Sequence, residues 1–198
     1  AVGQGPLEPV NAFLDRIAED KKEGGWVVIG TALGSQLHRD LPGALGRARD
    51  YIIAADIWYG ADILGERVPG PALLSHFELT RDQLRTWRED ENSWVRRTAG
   101  VAVHFWAKRT RAEQAHHRQQ ARDLLDFLAP LFWEWEMAVV KGVGWGLKTM
   151  GRYYPELLIT WLKEDILPQE RPSRALMLRK TLTYLGEKEQ ETIRQWKP

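Results

Sequence analysis

Trp58 and Asp62 stand four residues apart, which on a helix places the carboxylate one turn beyond the indole and on the same face. Arg97, Val101, His104 and Lys108 make a second stripe of this kind, and Lys141, Trp145, Lys148 and Arg152 a third. Set on neighbouring helices, the three stripes would line a groove holding one carboxylate and two indoles, rimmed by arginine and lysine. Lysine and arginine suit phosphates, while the negative ring faces of Trp58 and Trp145 suit a sugar or a cationic base. The groove therefore fits a polyanion that carries a cationic centre. Each stripe also has a plainer reading. An Asp beside a Trp is commonly an N-cap or a salt-bridge partner, and a solvated amphipathic helix also shows cations such as Lys148 and Arg152 along one face. Solvation explains poorly why an indole stands in the middle of a charged stripe. It explains as poorly the glycines at 100 and 144, each costing about 1 kcal/mol relative to Ala in a helix interior. They are expected where another backbone must approach closely.

Helical periodicity runs from Pro9 to Trp196 without a sustained apolar–polar alternation, so the fold is expected to be all-α. The pattern predicts helices over Pro9–Lys22, ended by Gly24 and Gly25, then Trp26–Gln36, Leu41–Ala55 and Trp58–Arg67, the last closed by Pro69-Gly70-Pro71. Further helices are expected from Thr80 to Arg88 with Thr80 as cap, and from Asn92, a good N-cap, to about Arg109. A charged connector then leads into Ala121–Phe132, Glu134–Tyr153, a helix opened by Pro155 and running to about Asp165, and Pro172–Gln195 broken at Gly186. Trp26-Val27-Val28-Ile29-Gly30, Trp94-Val95-Arg96-Arg97-Thr98 and Ala138-Val139-Val140-Lys141-Gly142 share an apolar start, Val second and a small residue fifth. The step from Trp94 to Ala138 is 44 residues, within the roughly 40–47 of HEAT-type repeats, whereas the step from Trp26 is an irregular 68. This predicts a short, degenerate HEAT-like solenoid whose inner helices line a concave basic groove. Residues 10–198 are expected to form its one domain, with residues 1–9 disordered or foreign to it.

Composition narrows the function. The 198 residues contain no cysteine, which excludes a disulfide scaffold, a thiolate zinc site, an iron–sulfur cluster and a cysteine nucleophile, and fits a reducing, cytoplasmic setting. With 28 Lys and Arg against 27 Asp and Glu, any anionic partner must be held by a local basic face. No run approaches a membrane span, and Ala1–Pro9 has neither the basic leader nor the apolar stretch of a secretory signal. His116 and His117, the only paired histidines, lie in the charged connector and read as surface residues, so no metal site is expected. Ten tryptophans, against five tyrosines and five phenylalanines, are mostly expected as core or groove fillers.

Three segments taken together resemble a known family. Trp58-Tyr59-Gly60-Ala61-Asp62, Asn92-Ser93-Trp94-Val95-Arg96-Arg97-Thr98-Ala99 and Lys141-Gly142-Val143-Gly144-Trp145 look like the successive signatures of the AlkD-type DNA alkylation-repair glycosylases, HEAT-like proteins that excise alkylated, positively charged purines. The resemblance covers roughly Trp26 to Leu185. It implies Asp62 as catalytic carboxylate, Trp58 and Trp145 as the indoles embracing the lesion's deoxyribose, and Arg97 as a clamp on the DNA backbone. Lys141, Lys148 and Arg152 are expected to join Arg97 on the phosphates. The implied reaction is hydrolysis of the N-glycosidic bond of N3- or N7-alkylated purines in duplex DNA, by a monomer associated with the nucleoid and without a cofactor. A departing cationic purine needs no general acid, so one carboxylate suffices where ordinary glycoside hydrolysis uses two. Two other readings stay open. A catalytically inactive HEAT-like module that binds DNA structure would keep the groove cations but needs no Asp62, and a protein-binding scaffold would favour an apolar or acidic groove.

Overall fold

The computed structural model describes residues 2–195; residue 1 and residues 196–198, the end of the expected helical run, lie outside the described residues. Twelve α-helices are described: α1 (Leu7–Glu19), α2 (Glu23–Gln36), α3 (Leu41–Ala55), α4 (Trp58–Arg67), α5 (Pro69–Ser75), α6 (Phe77–Arg88), α7 (Ser93–Arg109), α8 (Arg118–Leu128), α9 (Met137–Tyr153), α10 (Pro155–Trp161), α11 (Ala175–Thr181) and α12 (Glu187–Arg194). No strand occurs among the described residues, so the fold is all-α.

The helices stack as two rows. In one row α2 packs on α4, α4 on α7, α7 on α9 and α9 on α11; in the other lie α1, α3, α6, α8 and α10. This is the order of a short helical-repeat solenoid, and the contact between α7 and α9 is its most extensive. The row that begins with α2 carries all three sequence stripes and is called the inner row below. The irregular 68-residue step has a simple origin: the whole α3–α4 pair lies between Trp26 on α2 and Trp94 on α7.

Local chemistry sets the helix ends. Asn92 caps α7, its side-chain oxygen accepting from Trp94 N at 2.9 Å and Val95 N at 3.3 Å. Asp40 caps α3 by accepting from Gly43 N at 2.9 Å. Asp56 ends α3 with φ 48°, a left-handed turn that Asp tolerates, and α4 follows two residues later. Tryptophan supplies much of the core: Trp26, Trp87, Trp106 and Trp161 are fully buried.

Several expectations need correction. Gly24 and Gly25 do not end a helix but lie in the first turn of α2, because the break falls at Lys21, whose φ is 48°. Helix α4 ends at Arg67 as expected, but Pro69-Gly70-Pro71 also opens a helix the pattern did not give, α5, as proline at the first helical position has no N–H to lose. Thr80 lies inside α6 and is fully buried, so it is not a cap. The segment 2–9 is folded rather than disordered. Val2–Gln4 forms a 3₁₀ turn against α2 and α1 begins at Leu7. Gly3 is buried, and Arg39 donates to Gly3 O at 2.6 Å and to Gly5 O at 2.9 Å. The anchor stands 34 residues away in sequence, so nothing local announces it.

Candidate nucleic-acid interface and its carboxylate

The Gly100 side of α7 and the Gly142–Gly146 side of α9 meet backbone to backbone. A Cβ on Gly146 would lie 2.6 Å from Gly100 O, and one on Gly142 2.6 Å from Arg97 O, so any side chain would force the helices apart. That approach brings Ala138 O within reach of Arg97, whose Nη1–H donates to it at 2.9 Å. The rest of the guanidinium turns to α4. Nε–H donates to Asp62 Oδ1 and Nη2–H to Asp62 Oδ2, both at 2.8 Å, in a fork that matches the carboxylate. Both side chains are largely buried, at 8% and 15% exposure.

Arg97 also lines a cavity of about 500 Å³ together with Trp58, Trp94, Met137 and Lys141. Trp58 stands at its edge, 55% exposed and edge-on to Tyr59 at 5.8 Å. Trp94 is held by its indole N–H, which donates to Asp56 Oδ1 at 2.9 Å. Trp145 does not share this cavity. It lines a smaller depression with His104, Lys148, Arg152 and Tyr184, one turn further along α9 from Lys141. The residues at 58, 62 and 66 lie on successive turns of one α4 face, and Glu66 reaches towards His104 in the second depression at 3.7 Å. Asp62 thus falls, in helix register, between the Trp58 cavity and the Trp145 depression.

Charge is distributed unevenly between the rows. On α3, α6 and α8 of the outer row, Arg47, Arg49, Arg81, Arg85, Arg88 and Arg122 are each in an ion pair. On the inner row, Lys108, Lys141, Lys148, Arg152, Arg179 and Lys180 have no ion-pair partner among the described residues. Their mutual repulsion is felt. Burial, followed by the charges of Lys148, Arg97 and Lys141, lowers the Lys180 pKa from its ordinary value. Burial raises that of Glu66 and, aided by Lys108, pushes His104 down to about 4, so His104 is neutral at pH 7. Among the described residues no group of His, Asp and Glu is placed to hold a metal ion.

A family model described as DNA alkylation repair enzyme matches residues 19–185 of the 198. The chain belongs to that family. A role in DNA alkylation repair, as an enzyme with DNA as substrate, follows from membership, and the all-α repeat fold agrees with it. No curated protein and no solved structure matches the chain at a significant level. Among the described residues no helix is long and apolar enough to cross a membrane.

The predicted site residues all fall on α4, α7 and α9 of the inner row, but not all stand as expected. Trp58, Arg97 and Lys141 share one cavity and Trp145, Lys148 and Arg152 the next. Arg97, expected as a clamp on the DNA backbone, is hydrogen-bonded to Asp62 and Ala138. Three contributors escaped the sequence pattern. Lys180 and Tyr184 come from a helix and a turn beyond the three signatures, and Glu66 was one step past the Trp58–Asp62 pair on the same face, which extending the spacing by four would have found. Lys148 Nζ and Arg152 Cζ sit 4.9 Å and 5.2 Å from the Tyr184 ring centroid, a cation–π arrangement on both.

Proposed function

We propose that this enzyme is a DNA glycosylase that hydrolyses the N-glycosidic bond of cationic N3- or N7-alkylated purines in duplex DNA. The observation that carries the reading is Asp62, a carboxylate fixed by the Arg97 fork, standing in register between an exposed indole and a second, half-buried one. A purine alkylated at N3 or N7 leaves as a neutral base, so the bond breaks without a proton donor. Positive charge then appears on the deoxyribose, and Asp62, preorganised by Arg97, stabilises it and orients the attacking water. Trp58 and Trp145 offer electron-rich faces to the same developing charge. Water supplies the hydroxyl at C1′ and its proton passes to solvent or to the departed base, so no cofactor takes part.

Lys141, Lys148 and Arg152 are the phosphate contacts in this reading. Arg97 adds the N–H groups not spent on Asp62 and Ala138, which lets one side chain hold both the carboxylate and the backbone of the strand. The test is release of free base from a defined duplex containing one 7-methylguanine, with a uracil duplex as control. Release of the alkylated base with the uracil duplex untouched is expected. A wild-type protein that binds the lesion duplex and releases nothing would return the argument to a non-catalytic DNA-binding module.

A further inference from the structure

Trp145 stands on a glycine-rich stretch of α9 whose side-chain support comes only from Lys148 and Thr149, one turn on. Its neighbours Gly144 and Gly146 have no side chains, and Gly142, one turn back, is pressed against Arg97. The wall behind the indole comes instead from α7. The His104 ring stacks on Trp145 with centroids 4.0 Å apart and planes 26° from parallel. His104 is itself fixed. Thr149 Oγ1 lies 2.9 Å from Trp145 O, to which it donates, and is hydrogen-bonded to His104 Nδ1 at 2.7 Å. The other ring nitrogen, Nε2, stands 3.7 Å from Glu66 Oε1. One threonine hydroxyl thereby ties the imidazole to the backbone of the residue on which that imidazole stacks.

We propose that His104 is a positioning residue that holds the Trp145 indole in the orientation its substrate contact requires. A leucine would fill the same volume without fixing the angle of the ring. The imidazole is only 8% exposed and remains uncharged at working pH, since burial and Lys108 both oppose its protonation. An uncharged ring on one face leaves the electron-rich character of the opposite indole face undiminished for a cationic sugar, whereas a cation there would compete with it. The inference rests on the glycosylase reading for what Trp145 does, but not for how His104 holds it.

The experiment pairs two readouts on the full chain. The first is the Trp145 indole N–H resonance in ¹⁵N-labelled protein, assigned by its loss in Trp145→Phe. His104→Ala should shift or broaden it while the buried indoles keep their positions, and His104→Phe, which restores a flat ring, should bring it back towards wild type. The second is single-turnover base release. His104→Ala should slow it about ten- to hundredfold with duplex affinity unchanged, the cost of a misplaced contact group. His104→Phe should recover most of that loss, and His104→Ala combined with Trp145→Ala should be no slower than Trp145→Ala alone. Fully additive losses, or an unmoved Trp145 resonance in His104→Ala, would overturn the proposal. If wild type releases no base, the glycosylase reading fails by itself, and the resonance still decides whether His104 holds the indole.

Discussion

Arg97 grips Asp62 with two N–H donors at 2.8 Å and spends a third on Ala138 O, so α4, α7 and α9 are joined through one guanidinium. A carboxylate and a cation this poorly solvated stabilise each other only as a pair. Arg97→Ala should therefore lower unfolding stability by about 3 kcal/mol, because it leaves Asp62 without its partner in a site of 15% exposure. Arg97→Lys keeps the charge but loses the fork, and is expected to recover the melting temperature more fully than the rate of base release. Chemical denaturation of the three proteins, alongside their kinetics, checks both halves. Equal stability of wild type and Arg97→Ala would mean that the pair is not formed in solution.

The glycine seam between α7 and α9 offers a second, purely structural check. A Cβ on Gly100 would meet the backbone of Gly142 and Val143, which cannot rotate away. Gly100→Ala should cost at least the 1–3 kcal/mol of an overpacked core and displace Ala138 O from Arg97. Gly46, around which a Cβ meets nothing, is the matched control, and Gly46→Ala should be neutral or slightly stabilising. Thermal melts should show a clear drop for Gly100→Ala and no drop for Gly46→Ala.

These contacts show which parts of the site were legible in the sequence. The α4 pair of Trp58 and Asp62, the Asn92 cap and the stripe on α9 are local, because four-residue spacing and cap chemistry act within one helix. The glycines at 100 and 144 also gave a readable signal, since their cost demands a close neighbour, met at 100 by the α9 backbone and at 144 by the Lys180 side chain. What escaped was long-range. The Arg97–Asp62 fork spans 35 residues and the Arg39 anchor of the first turn 34, and neither leaves a periodic trace. The placement of Trp58 and Trp145 in successive depressions depends on how far α9 slides along α7, which spacing within either helix does not fix.

Acid should weaken the fold through His104. Its pKa is about 4 in the folded chain, lowered by burial and then by Lys108, against an ordinary 6.5. The unfolded chain therefore takes up a proton first as pH falls. The contribution of the neutral ring is complete above about pH 6.5 and is lost progressively towards pH 4, by on the order of 2 kcal/mol. Burial raises the pKa of Glu66, which works in the opposite sense and softens the decline at its lower end. Stability measured by urea unfolding from pH 7 to pH 4.5 should fall less steeply for His104→Phe than for wild type, and parallel curves would remove His104 as the cause.

The unpaired inner-row cations should act on DNA without regard to sequence. Replacing Lys141, Lys148 or Arg152 by Ala should weaken binding to every duplex alike and reduce the slope of log K against log salt by about one each. Arg152→Ala also removes a cation from the Tyr184 ring, 5.2 Å away, but no ion pair, so its melting temperature should stay near wild type. Fluorescence anisotropy titrations at several salt concentrations are the measurement. A loss confined to one sequence would argue for base contacts in place of phosphate contacts.

Asp62 is assigned to a charge that exists only while the glycosidic bond breaks, and this separates its effect on rate from its effect on binding. Asp62→Asn keeps one acceptor for Arg97 and the shape of the side chain but removes the negative charge. Base release should slow by roughly the 10²–10³-fold typical of losing one electrostatic stabiliser, with duplex affinity unchanged or slightly higher once a negative group has left the groove. Some stability should be lost as well, since Arg97 at 6% exposure then lacks its counter-ion, so the rates must be compared well below the melting point of the variant. Single-turnover excision of 7-methylguanine, where neither binding nor product release limits the rate, isolates the chemical step. Equal rates for wild type and Asp62→Asn would leave Asp62 as the structural partner of Arg97 alone, and the carboxylate acting on the sugar would have to be sought next at Glu136, which borders the Trp58 cavity.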